Sequence, residues 1–302
     1  MNNENYNINK TIQKLPLIDT ILKGVGQIML QENSITGILF LTGLFIGSWK
    51  YGVAAILATI AGTLIAKLLK YDETEIRAGL YGFSAALVGV ALTFFFHSDF
   101  LVWLFVLIGG GIASIVQHYF IQRNIKAYTF PFILVTWILY YSLQKFAGVP
   151  INNLSVNELN NSNFNFLFKG LKGFGQVIFQ GDLISGVLFF VGVLISSIAS
   201  GLYGLAASFI GALIAQLTNQ PIENVNLGLF GFNAILSAIV FSTEKKSAII
   251  WVLVSVLFTM LIHIGLVESE ILNIFGGVLT FPFVAGTWLT LLTKSLLRSN
   301  EK

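Results

Sequence analysis

Cysteine is absent from the 302 residues, which excludes a disulfide framework, a thiolate nucleophile and a thiolate metal site. Charge is scarce: Asp, Glu, Lys and Arg make up 10% of the chain, where soluble domains carry roughly 25%. His97, His118 and His263 are scattered, without metal-ligand spacing or paired carboxylates. Neither an acid–base dyad nor a nucleophile triad can be assembled, so no enzyme chemistry, metal or cofactor is expected. Gly109-Gly110-Gly111 lies inside an apolar run with no Gly-Lys-Ser/Thr after it, which argues for helix packing and against a phosphate loop. The polar start, Met1-Asn2-Asn3-Glu4-Asn5-Tyr6, lacks the short apolar core and small-residue cleavage site of a signal peptide. Insertion into a membrane is therefore expected from internal spans. A net charge of +3 points to no nucleic-acid partner.

What fills the chain instead is apolar sequence, 55% of residues, with a mean hydropathy of +0.81. That composition belongs to an integral membrane protein embedded in a lipid bilayer. The expected layout is a polar segment over 1–14, membrane repeat A over 15–147 and a polar, Asn-rich linker over 148–165. Membrane repeat B over 166–295 and a basic tail over 296–302 complete it. Within repeat A, a segment from Leu15 to Gln31 is too short and polar to cross a bilayer, which takes roughly 20 apolar residues. It leads into five apolar runs, near 35–49, 51–69, 79–97, 100–122 and 127–144. Repeat B restarts the pattern with a short segment near 166–180 and runs near 183–198, 201–217, 226–243, 247–266 and 273–293. The expected fold is all-α, with five transmembrane helices and one half-membrane re-entrant helix per repeat.

The repeats are written in three motif pairs. Leu22-Lys23-Gly24-Val25-Gly26-Gln27 recurs 149 positions later as Leu171-Lys172-Gly173-Phe174-Gly175-Gln176, and the windows 22–40 and 171–189 agree at 10 of 19 positions. Gly79-Leu80-Tyr81-Gly82-Phe83-Ser84-Ala85-Ala86-Leu87 recurs as Gly228-Leu229-Phe230-Gly231-Phe232-Asn233-Ala234-Ile235-Leu236. Thr129-Phe130-Pro131-Phe132 with Thr136-Trp137 recurs, at an offset of 151, as Thr280-Phe281-Pro282-Phe283 with Thr287-Trp288. An odd number of spans per repeat turns the second repeat upside down in the membrane. The lysines and arginines then divide 13 to 4 between the two sides, and the richer side, which carries both termini, is expected to be cytoplasmic.

In these three duplicated motifs the chain resembles the urea transporters, channel-like membrane proteins. The resemblance covers about 17–295 and implies a homotrimer in the cell membrane. Each protomer would hold one pore at the interface of its inverted repeats and pass urea down its gradient. In that family the residues corresponding to Phe83, Phe232, Leu30 and Phe179 line an aromatic slot. Leu30 departs from the pattern, since aromatic residues are usual there, and would loosen one wall. By resemblance, Thr129 and Thr280 sit at the pore's centre and face each other across the pseudo-two-fold axis. Some members carry Glu at the second of the two glutamine positions; here both Gln27 and Gln176 are neutral.

The chemistry agrees with the resemblance. Urea is planar and neutral, with one carbonyl acceptor, four N–H donors and two flat faces, so its pore wants aromatic walls, an edge of acceptors and no fixed charge. Phe83 with Leu87, and Phe232 with Leu236, each lie four apart on one helix face. The expected mechanism strips water at the mouths and stacks urea between Phe83 and Phe232. Its N–H groups would then bond backbone carbonyls, Gln27, Gln176 and the two threonines. Each candidate has a plainer role: the glutamines as interhelical hydrogen bonders, the phenylalanines as packing among 27 of their kind, the threonines as caps. Thr136 and Thr287 read as packing, and Trp137 and Trp288 as interface anchors or packing. A pore for short amides, ammonia or water remains an alternative, as does an ion-coupled transporter, for which the spans supply no buried charged residue. A membrane scaffold or enzyme would leave the duplicated motifs unexplained.

Overall fold

The structure is a computed structural model that describes residues 12, 14–152, 166–243, 245 and 247–299. Most of the expected polar segment over 1–14, the linker beyond 152 and the tail from 300 lie outside the described residues. The described chain is helical, with no β-sheet; a single bridge pairs Phe96 with Ile151. Its helices fall into two series. The first holds α1 (Pro16–Gly26), α2 (Ser34–Gly47), α3 (Trp49–Leu68), α4 (Glu73–Arg77), α5 (Phe83–Phe95), α6 (Phe100–Gln122) and α7 (Phe130–Lys145). The second holds α8 (Phe166–Gln176), α9 (Leu183–Ser196), α10 (Ile198–Leu217), α11 (Ile222–Asn226), α12 (Phe232–Phe241), α13 (Ala248–Ser269) and α14 (Phe281–Ser299).

Matching caps begin matching helices. Asn33 Oδ1 accepts from the N–H groups of Ile35 and Thr36 at the start of α2, and Asp182 Oδ1 accepts from Ser185 N–H at the start of α9. Ser48 and Ser197 cap α3 and α10 in the same way. Each oxygen takes up an N–H that the first turn leaves unpaired. The backbone repeats as closely: Leu30 and Phe179 are left-handed at φ 61° and 59°, Tyr128 and Leu279 at 50° and 47°, Gly79 and Gly228 at 78° and 79°.

Four helices, α3, α6, α10 and α13, are long and apolar enough to cross a membrane; α1 with its 3-10 extension to Met29 and α2 form a fifth candidate, bent by 75°. The other expected spans carry shorter helices. For α5, α7, α12 and α14 the physical reason is the motifs themselves. Gly79 and Gly228 each place a left-handed turn ahead of α5 and α12, and Tyr128 and Leu279 do so ahead of α7 and α14. Runs that read as continuous apolar helix are therefore broken near their starts.

The halves meet by reciprocal exchange. Thr36 Oγ1 donates to Gly192 O at 2.7 Å, and Ser185 Oγ donates to Gly43 O at 2.8 Å; these are the same two positions with their roles swapped. Phe40 and Phe189, themselves counterparts, pack against each other with rings tilted by 58° and centroids 5.1 Å apart. A Cβ on Gly43 would lie 2.4 Å from Phe189, and one on Gly192 2.9 Å from Phe40, so these glycines make the room the rings occupy. Trp137 Nε1 donates to Gly277 O, and Trp288 Nε1 to Lys126 O, which gives both tryptophans a packing role across the halves. Contacts of this kind, i to j and j to i, are what two copies of one surface make about a two-fold axis. Small residues and hydroxyl-to-carbonyl bonds are also how helices associate where no hydrophobic driving force acts between them.

Candidate functional site

The motif turns converge on the short helices α1 and α8. Gly24 of α1 lies against Gly79 and Gly82, and Gly173 of α8 against Gly228 and Gly231. The glutamine that ends each short helix ties down the same turn. Gln27 Nε2 donates to Ala78 O and Gln176 Nε2 to Leu227 O, both at 3.0 Å. Each amide thus spends one N–H on structure and keeps its oxygen and second N–H for another partner. The expected direct role of both glutamines is therefore shared with an architectural one.

A cavity of about 330 Å³ opens where the second-half turns meet the first half. Water takes about 30 Å³ apiece in the liquid, so this is room for on the order of ten waters. Gln176, Phe179, Phe232 and Thr280 line it, as do Phe94, Phe95 and Phe132 from the first half. Phe179 is the centre of an aromatic wall, 4.9 Å from Phe94, 5.7 Å from Phe95 and 6.3 Å from Phe132. Residues 276–280 form another wall. Non-helical backbone at membrane depth is tolerated where it is buried in protein or faces such a cavity.

Thr280 and Thr129 hydroxyls lie 2.7 Å apart and both side chains are buried. One hydroxyl donates to the other, which leaves one O–H and spare lone pairs for a solute. Phe83, Leu87 and Leu236 sit elsewhere, in the main hydrophobic core, with Leu87 and Leu236 fully buried and Phe83 7% exposed. The structure therefore sets Phe232 beside the cavity that Phe179 lines, and does not bring Phe83 to that cavity. Leu30, the counterpart of Phe179, is 37% exposed.

Four participants carry little signal in the sequence. Asn233 donates through Nδ2 to Leu279 O and accepts through Oδ1 from Phe283 N–H, bracketing the turn that presents Thr280. Its one mark is the Ser84/Asn233 difference inside an otherwise repeated motif. Phe94 and Phe95 come from a triple-phenylalanine run with no counterpart in the second half. His263 reads as a lone histidine, yet it lines the cavity against Phe230 and Phe232.

The first half carries a polar cluster where the second has neutral residues. Tyr81 Oη donates to Glu75 and lies 2.9 Å from His118 Nδ1, while Tyr71 stacks on the His118 ring at 3.5 Å. The positions matching Glu75 and Tyr81 are Asn224 and Phe230, and both line the cavity.

A family model described as urea transporter matches residues 18–295. Urea transporter 1 of Rattus norvegicus is 27% identical over 243 residues, which cover 74% of this chain and 62% of the relative. Urea transporter 1 of Ovis aries is 26% identical over 301 residues, 93% of this chain and 78% of the relative. The chain thus spans somewhat less than two thirds of the rat protein's length and about three quarters of the sheep protein's.

Proposed function

Since this chain belongs to the urea transporter family, matched over residues 18–295, we propose that it conducts urea passively across a cell membrane through the neutral cavity between its two halves. The observation that carries this reading is the cavity: aromatic walls at Phe179 and Phe232, an amide at Gln176, a hydroxyl pair at Thr129–Thr280 and a carbonyl-bearing turn over 276–280. Urea stacks on the rings, gives its N–H groups to carbonyls and to Gln176 Oε1, and passes to the threonine hydroxyls. Ions are excluded because charge placed in an uncharged, water-poor constriction loses several kcal/mol or more of hydration. Phe83, Leu30 and Leu87 take the matching positions on the first half's side of the path, and Leu236 lies on the second half's side.

In this reading the halves are inverted repeats with ten crossings between them. The reciprocal contacts support it: a two-fold axis lying in the membrane plane turns one half over relative to the other, and solute sites then fall at the midplane. A helix of 13 residues such as α5 is about 20 Å long, short of the roughly 30 Å apolar core. The turn at 79–82 and α4 before it complete that crossing, as the turn at 228–231 and α11 do for α12. Both termini lie on the cytoplasmic side, where 13 of 17 basic residues gather, and three protomers assemble with one path each.

Flux into proteoliposomes tests the proposal, with urea, acetamide, ammonia and glycerol offered in parallel, with and without sodium or proton gradients. Saturable urea uptake indifferent to the gradients is expected. A requirement for either ion would overturn the passive mechanism, and equal rates for acetamide would reassign the pore to short amides in general.

A further inference from the structure

We propose that His263 contacts the solute directly, its Nε2–H donating to the carbonyl oxygen of a urea seated against Phe232. This rests on the urea reading above and adds a donor to a cavity where donors are few. The walls offer acceptors: the Gln176 side-chain oxygen and the turn carbonyls over 276–280, of which those of Gly277, Val278, Leu279 and Thr280 already accept one hydrogen bond each and keep a second lone pair. Donors are few. Gln176 has given one N–H to Leu227 O, and the threonine pair shares one proton internally. Asn224 stands half-exposed at the cavity's rim. A urea that hands its N–H groups to carbonyls still carries an oxygen that must leave water, and an unpaired buried acceptor is costly.

His263 fits that vacancy by position. It sits within α13, is 2% exposed and lines the cavity. Phe230 and Phe232 hold its ring at 5.3 Å and 5.5 Å, the second in an edge-on arrangement. Its Nδ1 is buried and without a hydrogen-bond partner. A neutral imidazole carries one N–H. Placing that hydrogen on Nδ1 would strand a donor in the packing, so the proposal assigns it to Nε2. The same residue also fixes how Phe232 is presented, since the two rings pack edge to face.

Urea and thiourea permeability of wild type, His263→Leu and His263→Asn, in proteoliposomes of matched protein content, tests this. Thiourea has the same shape and N–H groups but a sulfur, a weak acceptor, in place of the oxygen. Loss of one hydrogen bond corresponds to roughly a five- to tenfold fall in urea flux for His263→Leu. Thiourea flux should change about twofold at most, and His263→Asn, which keeps a donor, should recover much of the urea rate. An unchanged urea rate, or equal loss of both solutes, would show His263 to be packing alone and overturn the inference. Failure of the wild type to carry urea would instead overturn the transport reading. Should His263→Leu fail to fold, His263→Asn and the wild type still decide. In that case His263→Phe, which keeps a ring and removes the N–H, joins them: loss of the wild-type preference for urea over thiourea in His263→Phe but not in His263→Asn supports the inference, and a preference that His263→Phe leaves intact removes it.

Discussion

Asn233 illustrates what one residue of a repeated motif can do that its counterpart cannot. It grips both ends of the turn that presents Thr280, at Leu279 O and Phe283 N–H. Asn233→Ala strands both groups and is expected to lower stability by about 1–3 kcal/mol and to slow urea flux, as read by thermal unfolding and stopped-flow uptake. Ser84, the matching residue, has a sealed hydroxyl without a partner, so Ser84→Ala should leave both measurements near wild type. The glutamines permit a similar comparison. Both tie a turn carbonyl, but Gln176 also lines the cavity. Gln176→Leu is therefore expected to cut flux on the order of tenfold and Gln27→Leu by clearly less, at similar losses of stability. The sequence makes these glutamines visible as a pair because they recur inside a repeated string. Their bonds stay hidden in it, because each acceptor lies 51 residues away on a turn whose path no spacing rule reveals.

At the scale of elements, the contact between each short helix and its motif turn depends on glycine. Gly79 and Gly228 combine left-handed backbone with close packing: an added Cβ would stand 2.4 Å from Gly24 N and 2.6 Å from Gly173 N. Gly79→Ala or Gly228→Ala should cost well beyond the ~1 kcal/mol of the backbone conformation alone, seen as loss of monodisperse protein in detergent. The short helix α4 depends on its cap. Asp72 accepts from the N–H groups of Glu75 and Thr74, and these bonds, the Glu75 backbone first, hold its carboxyl below the usual carboxylate range. The stabilisation is present at neutral pH and is lost as pH falls through that lowered value. Amide exchange over residues 73–77 should accelerate only under strong acid, and Asp72→Ala should show the fast rate at every pH. Hydropathy locates the longer helices, but it misses α4 and α11 and runs α5, α7, α12 and α14 together with the turns before them. Apolar sequence with one glycine or tyrosine in the left-handed region reads as helix, because composition carries no sign of φ.

The whole molecule is held at its middle by a residue meeting its own counterpart. Phe40→Ala and Phe189→Ala should each cost about 3–5 kcal/mol. The double variant should cost less than the sum by about 0.5–1.5 kcal/mol, the coupling of one aromatic pair, measured in a double-mutant cycle of thermal stability. The near-constant offsets of 149 and 151 are enough by themselves to reveal the duplication. They do not reveal which faces mate, since Thr36, Gly43, Ser185 and Gly192 carry nothing that distinguishes an interface from ordinary helix packing. The halves are equal in backbone but not in chemistry, for Glu75 and Tyr81 stand where the other half has Asn224 and Phe230. Detailed balance forbids such unlike ends from driving a net flow: net movement vanishes whenever the two solutions match. What unlike ends do produce is sidedness in saturation. A blocker that hydrogen-bonds the polar end should compete with urea from one face only, so inhibition in oriented vesicles should depend on which compartment receives it.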